Sequence, residues 1–189
     1  RLIPLNTSFV TLCGGVMNYL SERTTDSVGT PLSGFRYPFL VIPTPLLVSS
    51  SQLRDQMIDE PEVKQVMEVA KSADISMVGI GALMPSTEFS RFGYKSKKEL
   101  NSLKKSGAVG EMHGEYFNNK GQSLEIEHHN RLITIRLETL RNMKHVVGVA
   151  GGKEKIYAIA AAIRGGIIHS LITDEMTAQY LLSESIRPK

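Results

Sequence analysis

Val146-Val147-Gly148-Val149-Ala150-Gly151-Gly152-Lys153-Glu154-Lys155-Ile156 decides the architecture. The first five residues read as a buried strand and Gly151-Gly152 as a tight turn. Ile156, Ile159, Ala160 and Ile163 then recur at helical spacing, marking one face of a helix that Gly165-Gly166 ends. Ile167 to Ile172 reads as the next strand. Thr173-Asp174 caps a last helix that runs through Leu182. Strand, helix, strand, helix in that order predicts an α/β fold, a mostly parallel sheet flanked by helices with right-handed crossovers.

Working back toward the start, Gly107-Ala108-Val109-Gly110 reads as a small-residue loop leading into Glu111. Tyr116 through Gly121 and the stretch after it suggest a small β-hairpin insertion, and Asn130 to Ile135 a further strand. Lys97 to Lys105 is a polar helix. Ile75 to Gly81 is nearly all apolar, which predicts a strand covered on both faces. Val63, Val66, Met67, Ala70 and Ala73 lie on one face of a helix opening at Pro61, with Asp59 and Glu60 available to cap it. Another helix begins near Ser51. Phe39 to Ile42 and Phe9 to Leu12 are short β-like runs. The polar residues between them, with Gly29, Pro31 and Gly34, read as loop.

Composition narrows the function classes. The chain has 189 residues, 41% hydrophobic and 22% charged, which excludes a disordered or fibrous protein. That length fits one domain, residues 1–189, or one large and one small lobe. Its 22 Lys and Arg against 19 Asp and Glu leave +3, too small an excess to argue for nucleic-acid binding on charge. The single cysteine, Cys13, excludes an internal disulfide and a cysteine-based zinc site and suits a reducing cytoplasm. The longest apolar run, Ile156 to Ile163, is cut off by Lys155 and Arg164, well short of the roughly 20 residues of a membrane helix. The chain opens at Arg1 without a signal peptide and reads as a piece of a longer protein.

In open α/β sheets, ligands sit at the carboxyl ends of strands, near helix N-termini. Five segments fall at such places: Cys13-Gly14-Gly15, Gly79-Ile80-Gly81, Gly110-Glu111, Gly151 to Lys155, and Thr173-Asp174. Gly151-Gly152 followed by Lys155 is the most suggestive. Glycines admit a ligand close to the backbone, a helix N-terminus offers N–H groups, and a lysine adds charge, which together suit phosphate. The same residues also make an ordinary strand-to-helix turn with a solvated lysine. Glu111 is a candidate acceptor for sugar hydroxyls or a general base; a plain loop acid is the alternative. Cys13, Gly81 and Asp174 are further ligand-binding candidates; helix capping is the favoured reading of Asp174 and close strand packing that of Gly81. Walker, dinucleotide and serine-elbow motifs are absent. His128 and His129, read on a strand, point to opposite faces and do not share a metal. Cys13 reads as an inert small residue. Arg36, Arg91 and Tyr94 are further pocket candidates that nothing local singles out. Neither a cofactor nor a metal is called for.

These residues carry a resemblance. Val149-Ala150-Gly151-Gly152, Lys155, Ala158-Ile159, Arg164-Gly165-Gly166, Leu171-Ile172-Thr173-Asp174-Glu175, Thr177-Ala178 and Leu181-Leu182 resemble the C-terminal effector-binding domain of SorC-type bacterial transcriptional regulators. Upstream, Gly14-Gly15, Pro43-Thr44-Pro45, Val78 to Gly81 and Gly107 to Glu111 stand in the matching order. The resemblance implies a fold like phosphosugar isomerases and deaminases. It also implies a phosphorylated sugar or related metabolite as effector, a homodimer or homotetramer, and operator DNA gripped through a helix-turn-helix that this chain lacks. Lys155 would then contact the phosphate and Glu111 the ligand hydroxyls, with Gly14, Gly15, Gly151 and Gly152 framing the pocket. Cys13 stands where some bisphosphate-binding members have arginine, and the family's first strand and phosphate loop lie upstream of Arg1. A phosphosugar isomerase or deaminase of the same fold, and a pure oligomerisation module, are the alternatives.

Overall fold

The computed structural model describes residues 7–15, 37–83 and 97–183. Gly29, Pro31, Gly34, Arg36, Arg91 and Tyr94 lie outside the described residues. The chain divides into two compact units, the first made of residues 1–73 and 130–135 and the second of residues 74–129 and 136–189.

In the first unit, β1 (Phe9–Val10) pairs in parallel with β2 (Phe39–Leu40). Helices α1 (Ser51–Asp59) and α2 (Pro61–Lys71) follow. The Ser50 hydroxyl caps α1 by accepting the Leu53 amide at 3.1 Å. Glu60 takes the N-cap position of α2 but makes no side-chain cap bond, so Pro61 alone marks the start. Val63, Met67 and Ala70 form the buried stripe of α2. Residues 130–135 return to this unit without building a strand. Leu132 and Thr134 make single antiparallel bridges to Leu47 and Cys13, while Ile133 and Ile135 are fully buried.

The second unit holds two sheets. One is parallel, in the order β3 (Ser76–Gly79), β7 (Val146–Val149), β8 (Ser170–Ile172). Helix α5 (Ile156–Arg164) crosses from β7 to β8, and α6 (Glu175–Leu182) follows β8. The other is antiparallel, in the order β4 (Gly81–Ala82), β5 (Ala108–Met112), β6 (Glu115–Asn118). The α/β architecture read from the sequence is therefore present. The hairpin is formed by β5 and β6; the stretch from Tyr116 through Gly121 and beyond, read as the hairpin, makes only the single Phe117–Ser123 bridge within itself. Helix α3 (Lys97–Lys105) buries Leu100 and Leu103 in a cluster with Leu83, Ala108 and Tyr116. A short helix α4 (Leu137–Arg141) buries Leu137 and Leu140.

Three local readings change. The apolar run at β3 is not covered on both faces. Ser76 and Val78 are buried, whereas Ile75 and Met77 remain about two-thirds exposed at 65% and 64%, the period-2 alternation of a one-sided strand. On α5, Ile156 and Ile159 are buried as read, together with Ala158, Ala161 and Ala162, whereas Ala160 is half-buried and Ile163 stands 47% exposed. Packing on β5 is close at one point: a Cβ on Gly110 would fall 2.6 Å from the Ala158 Cβ, so a small residue is needed on the helix there. Third, Glu127–Arg131 is a 3-10 turn, so His128 and His129 do not alternate as on a strand; both are buried.

Candidate functional site

Gly151-Gly152 lies at the carboxyl end of β7, as the sequence reading placed it. Gly152 has φ +107°, a conformation that favours glycine. Lys153–Lys155 form a single 3-10 turn, and Lys155, half-buried, is the N-cap residue of α5. The glycine turn is held from the side. The Gly152 amide donates to Asp174 Oδ2 at 3.1 Å and to Thr177 Oγ1 at 2.9 Å. Asp174 Oδ1 accepts the Thr177 amide at 2.8 Å, and the Thr177 hydroxyl donates to Asp174 Oδ2 at 2.7 Å. These bonds from Thr177, and then the one from Gly152, hold the Asp174 carboxyl below its ordinary range. Asp174 is thus the N-cap of α6 and the brace of the turn. The Gly152 amide is engaged, so an anion at this helix start would rely on Lys155 and the neighbouring backbone.

Glu111 is not a loop acid. It sits inside β5, paired with Gly81 on one side and Tyr116 on the other. Gly107-Ala108-Val109-Gly110 is strand from Ala108 onward; Gly110 admits Ala158 of α5, and Ala108 packs with Leu100 and Leu103 of α3. A Cβ on Gly81 would lie 2.0 Å from Glu111 Oε1, so the missing side chain is what gives the carboxylate its place. Glu111 Oε2 accepts the Gly114 amide at 3.0 Å, and the carboxylate is half-buried. Strand β4 packs against the Lys153–Lys155 turn. Gly81, Glu111, Gly151, Gly152, Lys155 and Asp174 therefore share the second unit.

Cys13, Gly14 and Gly15 belong to the first unit. Gly14 is buried, donates its amide to the Ile133 carbonyl at 2.9 Å, and has no room for a side chain, since a Cβ would fall 2.4 Å from the Pro45 carbonyl oxygen. A Cβ on Gly15 would meet nothing within 4 Å. Cys13 is in no disulfide and is half-buried.

Two features escaped the sequence reading. The β5–β6 connection is a two-residue turn, His113-Gly114, with φ +51° and +82°, flanked by the Met112–Glu115 pair. His-Gly between strands is the available signal, since both turn residues need positive φ. The second is a buried polar network. Glu115, 2% exposed, accepts from the Ser123 hydroxyl at 2.6 Å and the Leu137 amide at 2.9 Å, and pairs with Arg136 at 3.0 Å. His129 Nε2 accepts the Tyr116 amide at 2.8 Å, so its Nδ1 carries the proton and donates to the Leu124 carbonyl at 2.8 Å. Burial, with Arg136 nearby, lowers the His129 pKa to about 4. This is a neutral structural histidine, with both nitrogens committed.

Among the described residues, no group of three His, Cys, Asp or Glu is placed to hold a metal ion, and no helix is long and apolar enough to cross a membrane.

Residues 4–183 match the family model described as "Putative sugar-binding domain". The transcriptional regulator LsrR of Enterobacter sp. (strain 638) is 35% identical over 177 residues, covering 92% of this chain and 53% of that protein. LsrR of Escherichia coli O157:H7 is 38% identical over 176 residues, with the same two shares, 92% and 53%. The chain thus spans about half the length of the curated relatives it matches. Among solved structures, the full-length sorbitol operon regulator SorC from Klebsiella pneumoniae gives a TM-score of 0.80 at 22% identity, over 93% of this chain and 58% of that one, a likeness of fold. The sugar-binding domain of a transcriptional repressor from Vibrio fischeri gives 0.76 at 25% identity, over 94% of this chain and 70% of that one. Together with the fold, the family match shows that the chain belongs to the sugar-binding domain family.

Proposed function

We propose that this chain is the effector-sensing part of a cytoplasmic transcriptional regulator. It binds a phosphorylated sugar or closely related metabolite and so controls the grip on operator DNA of a helix-turn-helix carried elsewhere in the full-length protein. The observation that carries the reading is the braced Gly151-Gly152 turn at the end of a parallel strand, with Lys155 at the start of the helix it opens. That is where an α/β sheet presents a ligand, and the cation suits phosphate. Glu111, held in place by Gly81 and Gly114, supplies a carboxylate that accepts from sugar hydroxyls. The working protein is a homodimer or homotetramer.

Turnover of a phosphosugar by isomerisation or deamination, which the family resemblance raises, is the other reading. The relatives named above are transcriptional regulators, which favours binding without chemistry. A thermal-shift screen with phosphorylated sugars, run beside a turnover assay on the same compounds, tests the choice. Stabilisation without conversion supports the sensor, and conversion of any of them overturns it.

A further inference from the structure

Among the described residues, His113 is the only non-glycine with positive φ, +51°. An L residue is strained there, and glycine, which follows at position 114, would suit the turn better. Strain of this kind is retained where the side chain has work to do. The imidazole is placed unusually as well. Its Nδ1 is buried with no hydrogen-bond partner, while the residue as a whole is only half-buried, with Nε2 reaching the surface. This contrasts with His129, whose two ring nitrogens are both taken by backbone groups. The Gly114 amide bonds to Glu111, so the carboxylate and the imidazole share one hairpin tip.

We propose that His113 is a recognition residue of the effector site, its Nε2 hydrogen-bonding a hydroxyl of the sugar moiety beside the one that Glu111 accepts. The inference rests on the reading of Glu111 and Lys155 as the effector site. Burial lowers the His113 pKa to about 4, with Glu115 opposing, so the ring is neutral near pH 7. A neutral ring does not suit a phosphate dianion. No protein group fixes its tautomer through Nδ1, so Nε2 presents a donor or an acceptor as required. A hydroxyl, itself both donor and acceptor, is the complementary ligand group. The phosphate falls to Lys155 and the sugar hydroxyls to the hairpin tip.

Calorimetry with inorganic phosphate, glucose 6-phosphate, fructose 6-phosphate and ribose 5-phosphate tests this on the wild type, His113→Gly, His113→Asn and Lys155→Ala. Both substitutes at position 113 tolerate positive φ, so both variants fold. The expected result is roughly a tenfold loss of affinity for the sugar phosphates that bind the wild type, with affinity for inorganic phosphate held within about twofold. Lys155→Ala weakens both kinds of ligand. Unchanged sugar-phosphate binding in both His113 variants overturns the inference and leaves the site reading intact, as does a loss shared equally by inorganic phosphate. A wild type that binds no sugar phosphate overturns the site reading, and the inference with it. A nitrogen NMR titration of the wild type adds a readout independent of any variant: the His113 Nε2 resonance moves with a sugar phosphate and not with inorganic phosphate, and a resonance unmoved by both refutes the role.

Discussion

The Asp174 carboxylate binds the Gly152 amide across 22 residues of chain, at 3.1 Å, while capping its own helix through Thr177. One side chain thereby ties the start of α6 to the turn that opens α5. The space for it is made by Gly151, where a Cβ would fall 2.2 Å from Asp174 Oδ2.

Gly151→Ala should therefore destabilise the fold by about 1–3 kcal/mol, the cost of forcing a methyl against a carboxylate held by three donors. Asp174→Ala should cost about 1 kcal/mol from the lost cap and should loosen the glycine turn. Asp174→Asn, which keeps the capping oxygen, should recover most of that loss. Urea denaturation of the three variants checks the order, and a Gly151→Ala protein as stable as wild type would contradict the packing described.

Gly81→Ala tests a different kind of contact. The added methyl meets the far end of the flexible Glu111 side chain, so the carboxylate swings away at a stability cost of about 1 kcal/mol or less. Affinity for a sugar phosphate should fall clearly, because the acceptor is displaced. A variant that loses stability and keeps affinity would assign Glu111 a structural role only.

Acid should destabilise the second unit through its histidines. His129 titrates near the ordinary 6.5 when unfolded and at about 4 when folded. Between those values the unfolded chain binds more protons, so stability falls as the pH drops below about 6.5 and the loss levels off below about 4. For fully buried His129 the complete effect is about 3 kcal/mol, and His113 adds in the same direction. Urea midpoints measured from pH 7 to pH 4.5 should decline steadily, and His129→Gln should flatten that slope. A midpoint independent of pH over this range would contradict the neutral, doubly bonded ring.

The parts of this fold that were legible in the sequence carry their signals locally. The β7–α5–β8–α6 run announces itself through glycine pairs at two turns and through an Asp three residues before Thr177, and each functions as read. Glu111 was misplaced because Gly107 to Gly110 looks like a loop. Gly110 serves a close contact with Ala158, a partner 48 residues away that local pattern does not reveal. Residues 130–135 alternate like a strand, yet they rejoin the first unit through single bridges to Cys13 and Leu47. Such a discontinuous unit depends on long-range pairing that periodicity cannot encode. The His113-Gly114 turn was readable by its residue types, but the strands around it are short and their apolar pattern is broken by Glu111 and Glu115.

Lys155 offers the most direct test of the central claim. A ligand at about 100 times its dissociation constant stabilises the folded state by roughly 2.7 kcal/mol, a melting shift of roughly 5 to 10 °C for a chain of this size. The melting temperature of wild type and Lys155→Ala should be measured with and without saturating sugar phosphate. The account predicts that the variant, folded and nearly as stable without ligand, loses most of the shift. A Lys155→Ala protein that stays folded and keeps the full ligand-induced shift would contradict it.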